Sequence, residues 1–127
     1  MTNIIEEFIS LGEKSDISLS REGDLAKVEK SFIQMLGIIK NNMELKSSFL
    51  DIFSKSIKSD YMPIELIQFC MRELKWPEVK LMAIKQLEHS NDPRLISSIG
   101  SILEVYETEW PDEDLYDYYS GSINTDD

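Results

Sequence analysis

The sequence predicts an all-α protein, a short stack of antiparallel helical hairpins with about six to seven helices, and three observations carry that expectation. Glu73-Leu74-Lys75-Trp76-Pro77-Glu78 returns 34 positions later as Glu107-Thr108-Glu109-Trp110-Pro111-Asp112, so both tryptophans precede a proline and then an acid. The same offset runs backward, laying Glu44-Leu45-Lys46 on Glu78-Val79-Lys80 and giving repeat starts at 44, 78 and 112. Between these marks the apolar residues recur every three or four positions, the spacing of a helix buried on one face. A chain of 127 residues fits one domain and is long enough to bury a core.

The elements follow in order. Ile4, Ile5, Phe8 and Leu11 form a helical stripe, with Asn3 and Glu6 arranged like a capping box, so a short helix is expected from Asn3 to Leu11. Residues 12–23 are rich in serine and bounded by glycines, and they read as a loop. Asp24 is a suitable N-cap for a second helix carrying Leu25, Val28, Phe32, Met35, Leu36 and Ile39. After Asn41-Asn42 a third helix carries Leu45, Phe49, Ile52, Phe53 and Ile57, and the short connection makes the two antiparallel neighbours. Pro63 opens a fourth, at the first-turn position where a missing N–H costs nothing. Its inner stripe of Ile64, Ile67, Cys70, Met71 and Leu74 is widened by Leu66 and Phe69, which implies contact on two sides. Pro77 starts the fifth helix, with Val79, Met82, Ala83 and Leu87 inward as far as His89. Asp92-Pro93 caps and starts the sixth, with Leu95, Ile96, Ile99, Ile102, Leu103 and Tyr106 inward and Gly100 marking a close helix crossing. Residues 112–119 fit two further helical turns, and 120–127 read as a frayed acidic tail.

Pro77-Glu78-Val79-Lys80-Leu81-Met82-Ala83-Ile84-Lys85-Gln86-Leu87, followed by Asn91-Asp92-Pro93-Arg94, resembles a HEAT-type repeat. The family places an acid, an aliphatic residue and a base early in its first helix, an alanine shortly after, and an Asp-Pro turn before its second. The match covers about 40 residues well and the preceding 30 or so loosely; its period is shorter than the usual HEAT length of about 40 to 47 residues. The resemblance implies a HEAT-like solenoid.

Enzyme chemistry finds no support in the sequence. His89 is the single histidine and sits at a helix end, where it serves the terminal carbonyls; Cys70 lies on an inward stripe. No phosphate loop or nucleophile elbow appears. Asp112, Glu113, Asp114 and Asp117 cluster, but an EF-hand read from Asp112 would have Asp117 and Ile123 where it needs glycine and glutamate. No metal or cofactor is expected. A lone cysteine forms no internal disulfide, no apolar run is long enough to cross a bilayer, and the start of the chain is acidic, so a cytoplasmic protein is expected.

Charge is distributed unevenly. Net charge is −11; residues 1–94 hold all 13 Lys and Arg against 15 acids, whereas residues 95–127 hold nine acids and no base. Such a field repels phosphate backbones and anionic lipid and favours a cationic protein partner. The same segment holds four of the five tyrosines. Tyr106, Glu107, Glu109, Asp112, Glu113, Asp114, Tyr116, Asp117, Tyr118 and Tyr119 are therefore the expected partner-binding residues, aromatics giving rigid contact area and acids steering a basic surface. Solvation of the acids and burial of one or two tyrosines as an end cap is the competing reading, and the two tryptophans are expected to be packing residues. Size, charge and the HEAT-like region together make the chain similar to small bacterial immunity proteins that neutralise basic toxins, nucleases above all. A HEAT-like adaptor in a larger assembly is the alternative. Oligomeric state is left open.

Overall fold

A computed structural model describes residues 3–17, 25–59, 61–107 and 116. Among these residues every regular element is helical: α1 (Ile4–Ile17), α2 (Leu25–Asn41), a single 3-10 turn (Met43–Leu45), α3 (Lys46–Ser59), α4 (Ile64–Leu74), α5 (Pro77–His89) and α6 (Pro93–Glu104). The all-α class expected from the sequence is what the chain adopts. The expected third repeat from 112 and the tail at 120–127 lie outside the described residues, apart from Tyr116.

Helix α1 corrects the sequence reading. It does not end at Leu11 but runs on to Ile17, so residues 12–17 are helix rather than loop; residues 18–23 lie outside the described set. The cause is packing. A Cβ added to Gly12 would stand 2.1 Å from the sulfur of Met62, so glycine is the residue that lets α1 approach that buried side chain. Ser15 is also buried and its hydroxyl donates to the Gly12 carbonyl at 2.8 Å, satisfying the one polar atom that faces inward. Serine and glycine, which punctuate loops in general, are here the small residues of a close contact. At the other end Asn3 caps as expected, its side-chain oxygen accepting from the Ile5 N–H at 2.8 Å.

Gly100 is the reverse case. Nothing lies within 4 Å of the position its Cβ would take, so the close crossing expected there is absent and the one at Gly12 replaces it.

Helix α4 is the centre of the molecule, packing against α2, α3 and α6. Leu66, Ile67, Phe69, Cys70 and Met71 are all buried, which is what its wide apolar arc implies. Gln68 is buried with them and its side-chain amide donates to the Ser101 carbonyl of α6 at 3.0 Å. Pro63 stands one place earlier than expected, as the extended residue before the helix, and α4 begins at Ile64.

The helices one repeat apart touch, α3 packing on α5 and α4 on α6, and within the hairpin α5 packs on α6. A stack of hairpins requires these pairings, and a helical bundle also satisfies them. The expected pairing of α2 with α3 is not the principal one, because α2 packs along α1 and α3 along α5. Phe8 of α1 supplies the physical reason: its ring lies 5.0 Å from that of Phe49 and 6.4 Å from that of Phe53, so an α1 side chain fills the space beside α3. A second ring group, Phe32, Phe69 and Tyr116, joins α2 to α4, with Phe32 5.5 Å from Phe69. Each such aromatic pair adds about 0.5–1.5 kcal/mol beyond its area burial.

Candidate partner-binding surface

The first Trp-Pro-acid phrase forms the junction between α4 and α5. Lys75 ends α4 in the left-handed conformation, φ 49°, and turns the chain so that Trp76 is buried against Phe53 at 6.3 Å. Pro77 then occupies the first turn of α5. Lys46 serves the junction twice, its ammonium standing 4.9 Å from the Trp76 ring centre and donating to the Glu78 carboxylate at 3.0 Å. Glu78 is held below the usual carboxylate range, first by its own backbone N–H at the start of α5 and then by Lys46. Trp76 is thus a packing residue; Trp110 lies outside the described residues.

Tyr106 closes this junction from the far end of α6. Its hydroxyl donates to the Trp76 carbonyl at 2.8 Å, and Lys80 stands 5.8 Å from its ring centre. Burial, and then the negative charge of Glu78, push the phenol above its ordinary value. Two cations at the end of α4 meet carbonyls at and just past the end of α6: Lys75 donates to Val105, the C-cap, at 2.9 Å and Arg72 to Glu107 at 3.0 Å. Positive charge at a helix C-terminus complements the negative end of the macrodipole and satisfies carbonyls that no further turn would reach.

Of the ten residues expected to bind a partner, the structure describes three. Glu107 is exposed and available to a partner. Tyr106 is half-buried, with its hydroxyl already engaged. Tyr116 is only 3% exposed, with its ring 5.1 Å from Phe69 and 6.3 Å from Phe32, so this tyrosine is part of the core and not of a contact face. Glu109, Asp112, Glu113, Asp114, Asp117, Tyr118 and Tyr119 lie outside the described residues. The Tyr116 ring itself meets α2 and α4.

Burial decides the two chemical candidates. Cys70 is fully buried and its thiol is pushed well up, chiefly by desolvation and then by the charge of Glu73, so it stays protonated. His89 donates from Nδ1 to the Lys85 carbonyl at 2.8 Å, the helix-end role expected of it.

A second surface was not foreseen. Two adjoining cavities, of 260 Å³ and 150 Å³, lie along α3, α5 and the start of α6 and share Lys58. Lys85 lines the first and Arg94 the second, so three cations border one groove. In the sequence these residues are scattered over three polar helix faces, and only the stacking of α5 on α3 and α6 brings them together.

No described helix is long and apolar enough to cross a membrane, and no three metal-ligating side chains converge among the described residues. No protein-family model, curated protein or solved structure matches this chain.

Proposed function

We propose that the chain is a cytoplasmic bacterial immunity protein that binds and neutralises a basic toxin, a nuclease in the first instance, through its acidic, tyrosine-bearing C-terminal region. The observation that carries this reading is the segregation of charge, nine acids and no base in residues 95–127 against near balance before them. A nuclease is basic where it grips phosphate, so carboxylates presented there compete with the nucleic acid. The contact residues are Glu107, Glu109, Asp112, Glu113, Asp114, Asp117, Tyr118 and Tyr119. Tyr106, half-buried, and Tyr116, buried, are left out of that set.

The test is a salt-sensitive 1:1 complex with the product of an adjacent toxin gene, followed by surface plasmon resonance. Changing Asp112 and Asp114 to Asn, Glu113 to Gln and Asp117 to Asn slows association and leaves the thermal midpoint in place, since rim charges act on the association rate. Unchanged binding by that variant would show that the acidic segment is not the contact.

A helical adaptor is the second reading, favoured by the groove beside Lys85. It places the partner on the α3–α5 face, and charge reversal at Lys85 would then weaken binding where the acidic substitutions do not.

A further inference from the structure

We propose that the groove between α3, α5 and the first turn of α6 binds an acidic peptide segment of a partner protein. It holds under either reading of the C-terminal region. Lys58, Lys85 and Arg94 border the groove, and Ile57, Met82 and Leu95 contribute apolar surface to it. A segment in which carboxylates alternate with apolar side chains matches that lining: the carboxylates meet the cations and the apolar groups cover the hydrocarbon.

Most of the other described cations are used within the fold, Lys14 and Lys30 beside a separate cavity of α1 and α2 excepted. Lys40 pairs with Glu73 and Lys46 with Glu78. Arg72 and Lys75 are bonded to the end of α6, while Lys55 and Lys80 lie over the rings of Tyr61 and Tyr106. Lys58, Lys85 and Arg94 make no side-chain hydrogen bond, ion pair or ring contact among the described residues, yet they converge on one concave surface. The single acid among the described lining residues, Asp92, is occupied as the N-cap of α6, accepting the Arg94 N–H at 3.0 Å. Nucleic acid is the less favoured ligand of the same cations: it brings a charge at every nucleotide into the field of a chain carrying −11, whereas a short segment brings few carboxylates and has apolar side chains for Ile57, Met82 and Leu95.

Fluorescence anisotropy with a labelled Glu-Leu-Asp-Leu-Glu-Leu peptide tests this on the full chain. Binding should be saturable and should weaken with added salt. Lys58→Glu with Lys85→Glu should raise the dissociation constant by about tenfold or more. Lys58→Gln with Lys85→Gln should weaken it less, and both variants should keep the helical circular dichroism spectrum. Lys14→Glu with Lys30→Glu, the same change in net charge at α1 and α2, should leave affinity as it was. The proposal is overturned by absence of peptide binding, by equal losses in the two charge-reversed variants, or by equal or tighter binding of a Lys-Leu peptide or a single-stranded oligonucleotide. Failure here leaves the toxin reading standing, because that reading is tested by substitutions in the acidic segment.

Discussion

Glu78 and Gly12 show two ways in which a single residue is committed to this fold. Glu78 gains its own N–H and Lys46 on folding, so its folded-state pKa lies below the unfolded value. By linkage the stability this contributes is complete above the ordinary carboxylate range and is lost as pH falls through the lowered value. Glu78→Gln should therefore flatten the acid limb of stability against pH and change little at neutral pH, read from urea midpoints across a pH series. The effect is small because the side chain is 44% exposed and its pairing with Lys46 is screened by solvent. Gly12 is governed by space instead. Gly12→Val puts a branched side chain where Met62 already sits, and should destabilise by about 1–3 kcal/mol in urea unfolding, the usual cost of overpacking. Neither role was legible in the sequence. A glycine's neighbours across space, and an acid's partner 32 positions away, have no local signature.

At the scale of the element, what starts and stops each helix was readable where the cue is local. Asp92-Pro93 predicts the start of α6, and the Asp92 carboxylate does accept the Arg94 N–H. Asp92→Ala removes that acceptor and should cost about 1 kcal/mol, while Asp92→Asn keeps most of it; thermal melts of the two variants separate cap from charge. The end of α6 is a different matter. Its carbonyls are met by Arg72 and Lys75, 30 to 35 positions earlier, and Lys75 reaches them from a left-handed residue that no glycine marks. That conformation costs about 1–2 kcal/mol for a non-glycine residue, which the ammonium contact and the turn into buried Trp76 offset. Helix α1 was misjudged for the same reason. Its polar second half looked like a loop until packing against α2 and Met62 supplied the burial that the stripe alone did not show.

At the scale of the whole molecule, two ring clusters and a repeated helix pairing hold one core together, and Tyr116 joins that core from far along the chain. Tyr116→Ala should lower stability by about 3–5 kcal/mol, the range for truncating a large buried aromatic. A single cooperative transition in chemical denaturation should shift as a whole, since Tyr116 contacts α2 and α4 at once. If Tyr116 were a surface contact residue, the same variant would lose partner affinity at unchanged stability. Charge is organised at this scale too. The acids of residues 95–127 sum to a negative field, whereas Lys58, Lys85 and Arg94 border one groove.

The sequence by itself determined the helical class, the six main helices and most of their buried stripes, because amphipathic spacing, proline and capping residues act over a few positions. It also determined the uneven charge, which is a sum and needs no coordinates. Only the tertiary structure decided that Gly12 and Ser15 are core residues, that Tyr116 is buried, that α1 fills the space beside α3, and that three lysine and arginine side chains border a common groove. Those outcomes depend on which helices come to lie together, and close packing selects that from contacts between residues distant in the chain.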